Sequence, residues 1–192
     1  VTLVSRLDEW VQVEKELEVT LDPDSSRVQV IHRLTNRNAW DIELSVWALT
    51  VMAQGGREII PQVQDGPELL PNRSVALWTY TRMNDPRVTW GERYIFLDQD
   101  PGAATPFKIG LPVPDGWAAY ANHGQLFVKH FDFDPEAEYP DFGLCSYETY
   151  TNPDFIELES LSPLWLIEPG EAIEHVEAWG LFQDVPKPLS ED

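Results

Sequence analysis

The chain has a single cysteine, Cys145, in 192 residues. That excludes an internal disulfide and any multi-cysteine zinc site. No apolar run is long enough to cross a bilayer, and no basic-then-apolar leader opens the sequence. The location stays unassigned from sequence, with the cytoplasm slightly favoured. Basic residues are scarce: 13 Lys and Arg stand against 33 Asp and Glu, a net charge of -20. So acidic a surface repels phosphate backbones and anionic lipid, which excludes nucleic acid and membrane as expected partners. The HExxH, GxSxG, P-loop and Rossmann patterns are missing as well. No cofactor is expected.

Tryptophan is abundant, with 8 copies, and there are 16 prolines. Together they favour a loop-rich β protein over a helical bundle. Indole faces stack on the apolar face of a sugar ring, and they equally fill cores. A chain of this length fits one domain, expected over 1–185 with a frayed tail at 186–192.

Strand signals recur throughout. Alternating stretches at 14–21 and 27–34 flank the turn 22–26 and predict a hairpin. A long apolar run predicts one strand over 42–52, closed by Gly55 and Gly56. Further strands are expected at 57–61, 74–80, 93–97, 117–122, 125–133, 144–150, 155–161 and 172–182. One helical turn is expected within 85–91. The spacing predicts an all-β fold, an antiparallel β-sandwich.

Within 155–163, "FIELESLSP", two carboxylates interrupt an apolar strand. Successive strand side chains point to opposite faces. Phe155, Glu157 and Glu159 therefore share one face, and Ile156 and Leu158 the other. The glutamates face solvent or a cleft; alternation alone fits both.

The stretch 122–150 is the densest in polar chemistry. It carries His123, Lys129, His130, Glu148 and many aromatics. Lys129 sits between Phe127 and Phe131, where an unpaired charge cannot be buried. It either reaches solvent or pairs with an acid, for which Glu148, Glu157 and Glu159 are available. Asp132, Asp134, Glu136, Glu138 and Asp141 invite a calcium-loop reading, but their order lacks the glycine and terminal glutamate of an EF-hand, and no metal is expected. In 85–94, Arg87, Trp90 and Arg93 place two guanidiniums around an indole. Such a loop can clamp a hydroxylated ligand or plug a sandwich edge.

Three blocks, "WALTVMAQGGREIIP" (47–61), "DPRVTWGERYIFL" (85–97) and "LFVKHFDFDPEAEYPDFGLCSYETYTNPDFIELESLSPL" (126–164), resemble an uncharacterised bacterial family of the galactose mutarotase-like superfamily. The closing "IEPGEAIEHVEAWGLF" (167–182) is similar to its last strands. The resemblance runs from about residue 17 onward. It implies a large antiparallel sandwich with a sugar cleft on a concave face. It also implies aldose 1-epimerase-like chemistry, in which a carboxylate takes the anomeric proton and a histidine protonates the ring oxygen. Glu159 best matches that carboxylate, and Glu157 comes second. The family's upstream Gly-Gly-His-Arg-Leu-Trp segment has no counterpart, so the chain resembles the last two-thirds of a member. His123 and His130 are the available substitutes for the acid. Lys129, Glu148, Arg87, Trp90 and Arg93 are the expected sugar-binding groups. A non-catalytic carbohydrate-binding sandwich and a glycoside-cleaving enzyme, which also uses paired carboxylates, are the alternatives. A shortened sandwich exposes edge strands, so a homodimer is expected.

Overall fold

The computed structural model describes residues 1–64, 66 and 69–191. Its strands pair antiparallel in two main sheets. The large sheet has nine strands in the order Thr2–Val4, Val13–Leu21, Val28–Asn36, Ala172–Gln183, Gln125–Phe131, Trp117–Asn122, Arg57–Pro61, Tyr94–Asp98 and Val88–Trp90. The small sheet has five: Trp47–Met52, Ile156–Leu161, Tyr147–Thr151, Phe107–Leu111 and Ala76–Leu77. Ile42–Leu44 and Trp165–Ile167 form a separate pair.

Strand parity explains the core. Ile60, Ile95, Leu97, Ala118, Tyr120 and Phe131 face inward from the large sheet and meet Phe107, Ile109, Leu111, Tyr147, Ile156 and Leu158 from the small one. Burying these side chains is the main driving force for closing the sandwich. Their neighbours in sequence, Lys108, Glu148, Glu157 and Glu159, consequently point away from the large sheet.

The single run expected over 42–52 is two strands. Ser162 causes the break: its Oγ accepts the Val46 N–H at 2.9 Å, and its carbonyl accepts Ser45 Oγ at 2.6 Å. These bonds turn the chain between Leu44 and Trp47. The helical turn expected within 85–91 is absent; the edge strand Val88–Trp90 stands there. The one short helix among the described residues, Pro140–Leu144, is irregular. Asp141, Phe142 and Gly143 all have positive φ, at 52°, 66° and 78°. Two non-glycine residues in that region carry strain that the surrounding contacts must hold. Within the tail, the Pro188 carbonyl accepts from Arg57 at 2.8 Å and the Glu191 carboxylate accepts the N–H of Tyr94 at 2.7 Å. Asp192 lies outside the described residues.

The interior is not wholly apolar. Glu58 accepts from Tyr147 Oη at 2.5 Å and Thr149 Oγ1 at 2.6 Å. Lys129 is fully buried and pairs with Glu177 at 2.6 Å. It also donates to the carbonyls of Ala48 and Leu158, each at 2.9 Å. Lys129 does have an acid partner, then, but it is none of Glu148, Glu157 or Glu159. Lys129 points inward with Phe131, while those three point outward. Glu177 lies opposite Phe131 on the adjoining strand, on the inward face.

Candidate functional site

The outward face of the small sheet gathers unusual chemistry. Glu148 and Glu159 are direct cross-strand partners, and Gly110 lies opposite Glu148 on the other side. Lys108 Nζ bridges the two carboxyls, at 2.7 Å from Glu148 Oε2 and 2.9 Å from Glu159 Oε2. Trp47 Nε1 donates to the same Glu159 oxygen at 2.6 Å. The ammonium also sits 4.8 Å from the Trp47 ring centre and 4.7 Å from that of Trp78, within cation–π range.

Each element is held for a local reason. The Lys108 carbonyl accepts Thr81 Oγ1 at 2.5 Å, and its N–H donates back at 2.9 Å, which ties the Trp78–Thr81 turn over the sheet. Gly110 leaves room beneath the 140–145 turn. A Cβ there would lie 2.7 Å from Cys145 Sγ and 3.2 Å from Glu148 Cγ. The side chains of Glu148 and Glu159 are 3% and 0% exposed, so this outer face is roofed rather than solvated.

Above them is a cavity of about 370 Å³, walled by Lys108, Glu148, Asp141, Trp47, Trp78 and Leu164 among others. Its size is right for a small ligand. Glu159 lies one layer deeper, under Trp47 and Lys108. A larger cavity of about 570 Å³ shares Ser45 and Trp47 with it and reaches His32, Lys15 and Leu17.

The electrostatics follow from burial and pairing. Burial, and then the neighbouring Asp141 carboxyl, push the Glu148 carboxyl up to about 8 against the pull of Lys108. Burial pushes the Lys108 ammonium down, but its bonds to Glu148 and Glu159 outweigh that and hold it above its ordinary value. Burial and the neighbouring Glu159 raise Glu157. Among the described residues, Glu148 Oε1 and Glu159 Oε1 are buried without a hydrogen-bond partner. Beside Asp141, a proton on one carboxyl is what keeps the contact with Glu148 from being repulsive.

Of the residues singled out in the sequence, Glu148, Glu157 and Glu159 come together here. The others do not. Lys129 is inside the sandwich. Arg87 makes a two-point pair with Asp85, both contacts at 2.9 Å, and donates to the Thr105 carbonyl. Trp90 Nε1 donates to the Met83 carbonyl at 3.1 Å. Arg93 lies over Tyr94. His123 sits exposed at the 123–124 hairpin turn, with φ 51°. His130 is on the outward face of the large sheet, beside a separate cavity with Trp117 and Tyr94. Neither histidine lines the cavity above Glu148. No cluster of three or more metal-ligating residues occurs among the described residues.

Lys108, Trp47, Trp78 and the role of Asp141 escaped the sequence reading. One signal was present. Lys108 interrupts the apolar strand "FKIGL" just as the glutamates interrupt "FIELESL".

No family model matches the chain, and no curated protein does. Solved structures do. A candidate aldose 1-epimerase from Klebsiella pneumoniae superposes with a TM-score of 0.61 at 14% identity, over 95% of this chain and 50% of its own. A galactose mutarotase-like protein from Lactobacillus casei superposes with a TM-score of 0.57 at 11% identity, over 94% and 68%. The fold is galactose mutarotase-like. A second candidate aldose 1-epimerase, from Escherichia coli, agrees with a TM-score of 0.53 at 14% identity, over 95% and 64%. The chain thus spans half the length of the Klebsiella protein. Identities this low speak for the galactose mutarotase-like fold alone.

Proposed function

We propose that the roofed face of the small sheet binds a monosaccharide and exchanges protons with it, in the manner of an aldose 1-epimerase. The observation that carries this reading is the Glu148–Lys108–Glu159 bridge beneath a cavity flanked by two indoles. Ring opening of an aldose needs one proton removed from the anomeric hydroxyl and one delivered to the ring oxygen. Glu159 Oε1 is an acceptor without a donor, suited to the first task. Glu148 keeps its proton up to about pH 8 and is suited to the second. It replaces the histidine acid that the resemblance implied. Access to Glu159 runs past Trp47, a residue that is 52% exposed.

A second reading has its own support. The full burial of Glu159 and the occupied space between the carboxyls suit a site that binds sugar without turning it over. The same bridge disfavours glycoside cleavage. That reaction places the anomeric carbon between two carboxyl groups, where the Lys108 ammonium stands here.

The test is exchange between the α and β anomers of an aldose, followed by NMR with and without the protein. Faster exchange that is lost in Glu159→Gln, with binding retained, supports the epimerase. Binding without faster exchange supports the binding module. Acceleration that survives both Glu159→Gln and Glu148→Gln removes the pair from the chemistry.

A further inference from the structure

We propose that the sugar taken by this cavity carries an ammonium group: an aminated monosaccharide in preference to a neutral or phosphorylated one. The inference rests on the carbohydrate reading above and concerns the charge of the ligand.

The charge balance of the site is the first argument. Among the described residues Lys108 is the only cation lining the cavity, against Asp141 and Glu148 on its wall and Glu159 directly behind. Lys108 is already engaged with both glutamates, at 2.7 and 2.9 Å. Two of its three N–H donors are taken by buried carboxyls, and an anion on the third would sit beside both of them. An anionic sugar therefore meets a site of its own sign in a protein of net charge -20.

The second argument is hydrogen bonding. Buried acceptors without donors are costly. Glu159 Oε1 is such an acceptor, and Glu148 Oε1 becomes one once its carboxyl ionises. A hydroxyl donates once, whereas an ammonium donates three times and adds charge to each bond. The third argument is the aromatic wall. Trp47 and Trp78 already flank one ammonium at cation–π distance. Their faces suit a second cation at the open side of the same cavity.

Burial and the neighbouring Asp141 push the Glu148 carboxyl up to about 8, so at pH 6 it holds its proton. An ammonium placed between Asp141 and Glu148 favours the ionised form of both. Binding of the amine therefore releases a proton, while binding of a neutral sugar does not.

Isothermal titration at pH 6 with D-glucosamine against D-glucose, and D-galactosamine against D-galactose, tests the preference one substituent at a time. D-glucose 6-phosphate is the anionic comparison. In at least one pair the amine should bind about tenfold more tightly, a difference of roughly 1.4 kcal/mol, and the phosphate should bind weakest. Repeating the titration in buffers of different ionisation enthalpy should show proton release for the amine alone. Asp141 is exposed, so Asp141→Asn should fold and should bring each amine close to its neutral partner. Equal binding of amine and neutral sugar in both pairs overturns the ammonium preference and leaves the carbohydrate reading standing. A preference undiminished in Asp141→Asn also overturns it. Binding of none of the five sugars overturns both.

Discussion

Glu148 and Glu159 stand opposite one another on adjacent antiparallel strands and share a single ammonium, Lys108 Nζ. Like charges directly opposite on a sheet repel, and both side chains here are almost fully buried. The lysine between them, together with the proton that burial keeps on Glu148, makes the arrangement tolerable.

Lys108→Met should therefore be costly. It leaves two buried carboxyls facing each other with no cation, and breaking a buried pair this way costs about 3–5 kcal/mol. Adding Glu159→Gln to Lys108→Met should recover much of the loss, because the orphaned charge is removed with its partner. Urea denaturation of the parent, the single variants and the double variant measures this as a coupling energy. Independent, additive losses would show that the bridge is not the stabilising feature.

The raised carboxyls give a pH signature. Glu58 and Glu148 are both pushed up to about 8, chiefly by burial, from an ordinary 4.5. Between those values the folded state holds protons that the unfolded chain has lost. Stability from these two groups is thus full below about pH 4.5 and falls as pH rises towards 8. His175 works oppositely. Burial lowers it to about 4, so its contribution is full above 6.5 and is lost as pH falls through 4. From pH 6.5 to 8 only the glutamates of this set still titrate, and unfolding free energy should decline. Glu58→Gln should flatten that decline, as followed by denaturant midpoints at half-unit pH steps.

The sandwich and the outward placement of Glu157 and Glu159 were legible because period-2 alternation carries both. The address of Lys129 was not. Its strand shows that it needs an acid, but not which sheet face is inward. Glu177 is about 50 residues further on in the chain, and only the pairing of Gln125–Phe131 with Ala172–Gln183 brings them together. Lys108 was hidden for the same reason: its strand meets Glu148 through one register and Glu159 only across an intervening strand. Trp47 and Trp78 come from loops and edges, where eight tryptophans gave no way to choose two. The strand expected over 42–52 failed on a tertiary hydrogen bond from Ser162, which leaves no local trace.

Lys129→Met tests the interior pair separately. Glu177 would lose Lys129 but keep Ser160 Oγ at 2.5 Å and His32 at 3.2 Å. Burial pushes Glu177 up, yet the bonds from His32 and Lys129 outweigh it and hold the carboxyl at about 2. Removing Lys129 should destabilise the fold by about 3–5 kcal/mol near neutral pH, and the loss should shrink as pH falls below about 4.5, because Glu177 is then no longer held so far down and its protonation no longer costs stability. A shift in thermal midpoint of the same size at neutral and acid pH would assign the loss to packing alone.

Gly110→Ala tests the crowding beneath the roof. The added methyl would press on Cys145 Sγ at 2.7 Å and Glu148 Cγ at 3.2 Å. Overpacking of this kind costs about 1–3 kcal/mol. Because Glu148 is one of the two atoms' owners displaced, sugar affinity should fall along with stability. A stable variant with unchanged affinity would show that the turn at 140–145 yields easily and does not fix Glu148.

The last prediction concerns assembly. Trp47–Met52 is an outer strand of the small sheet, with a partner strand on one side only. Trp47, Leu49 and Val51 are 52%, 41% and 59% exposed. The strand carries no charged residue, and uncharged, apolar edges invite pairing with another chain. A homodimer joined along this edge is the expected state. Net charge of -20 opposes the approach of two copies at long range, and salt screens that repulsion. Dimerisation should therefore strengthen as ionic strength rises, the reverse of an interface held by ion pairs. Sedimentation velocity at 20 mM and 500 mM salt, taken as roughly low and high screening, reads the effect. Leu49→Lys places a charge on the exposed face of the edge and should give a monomer with an unchanged far-ultraviolet spectrum. A parent that stays monomeric at high concentration and high salt would leave the edge unpaired and the dimer without support.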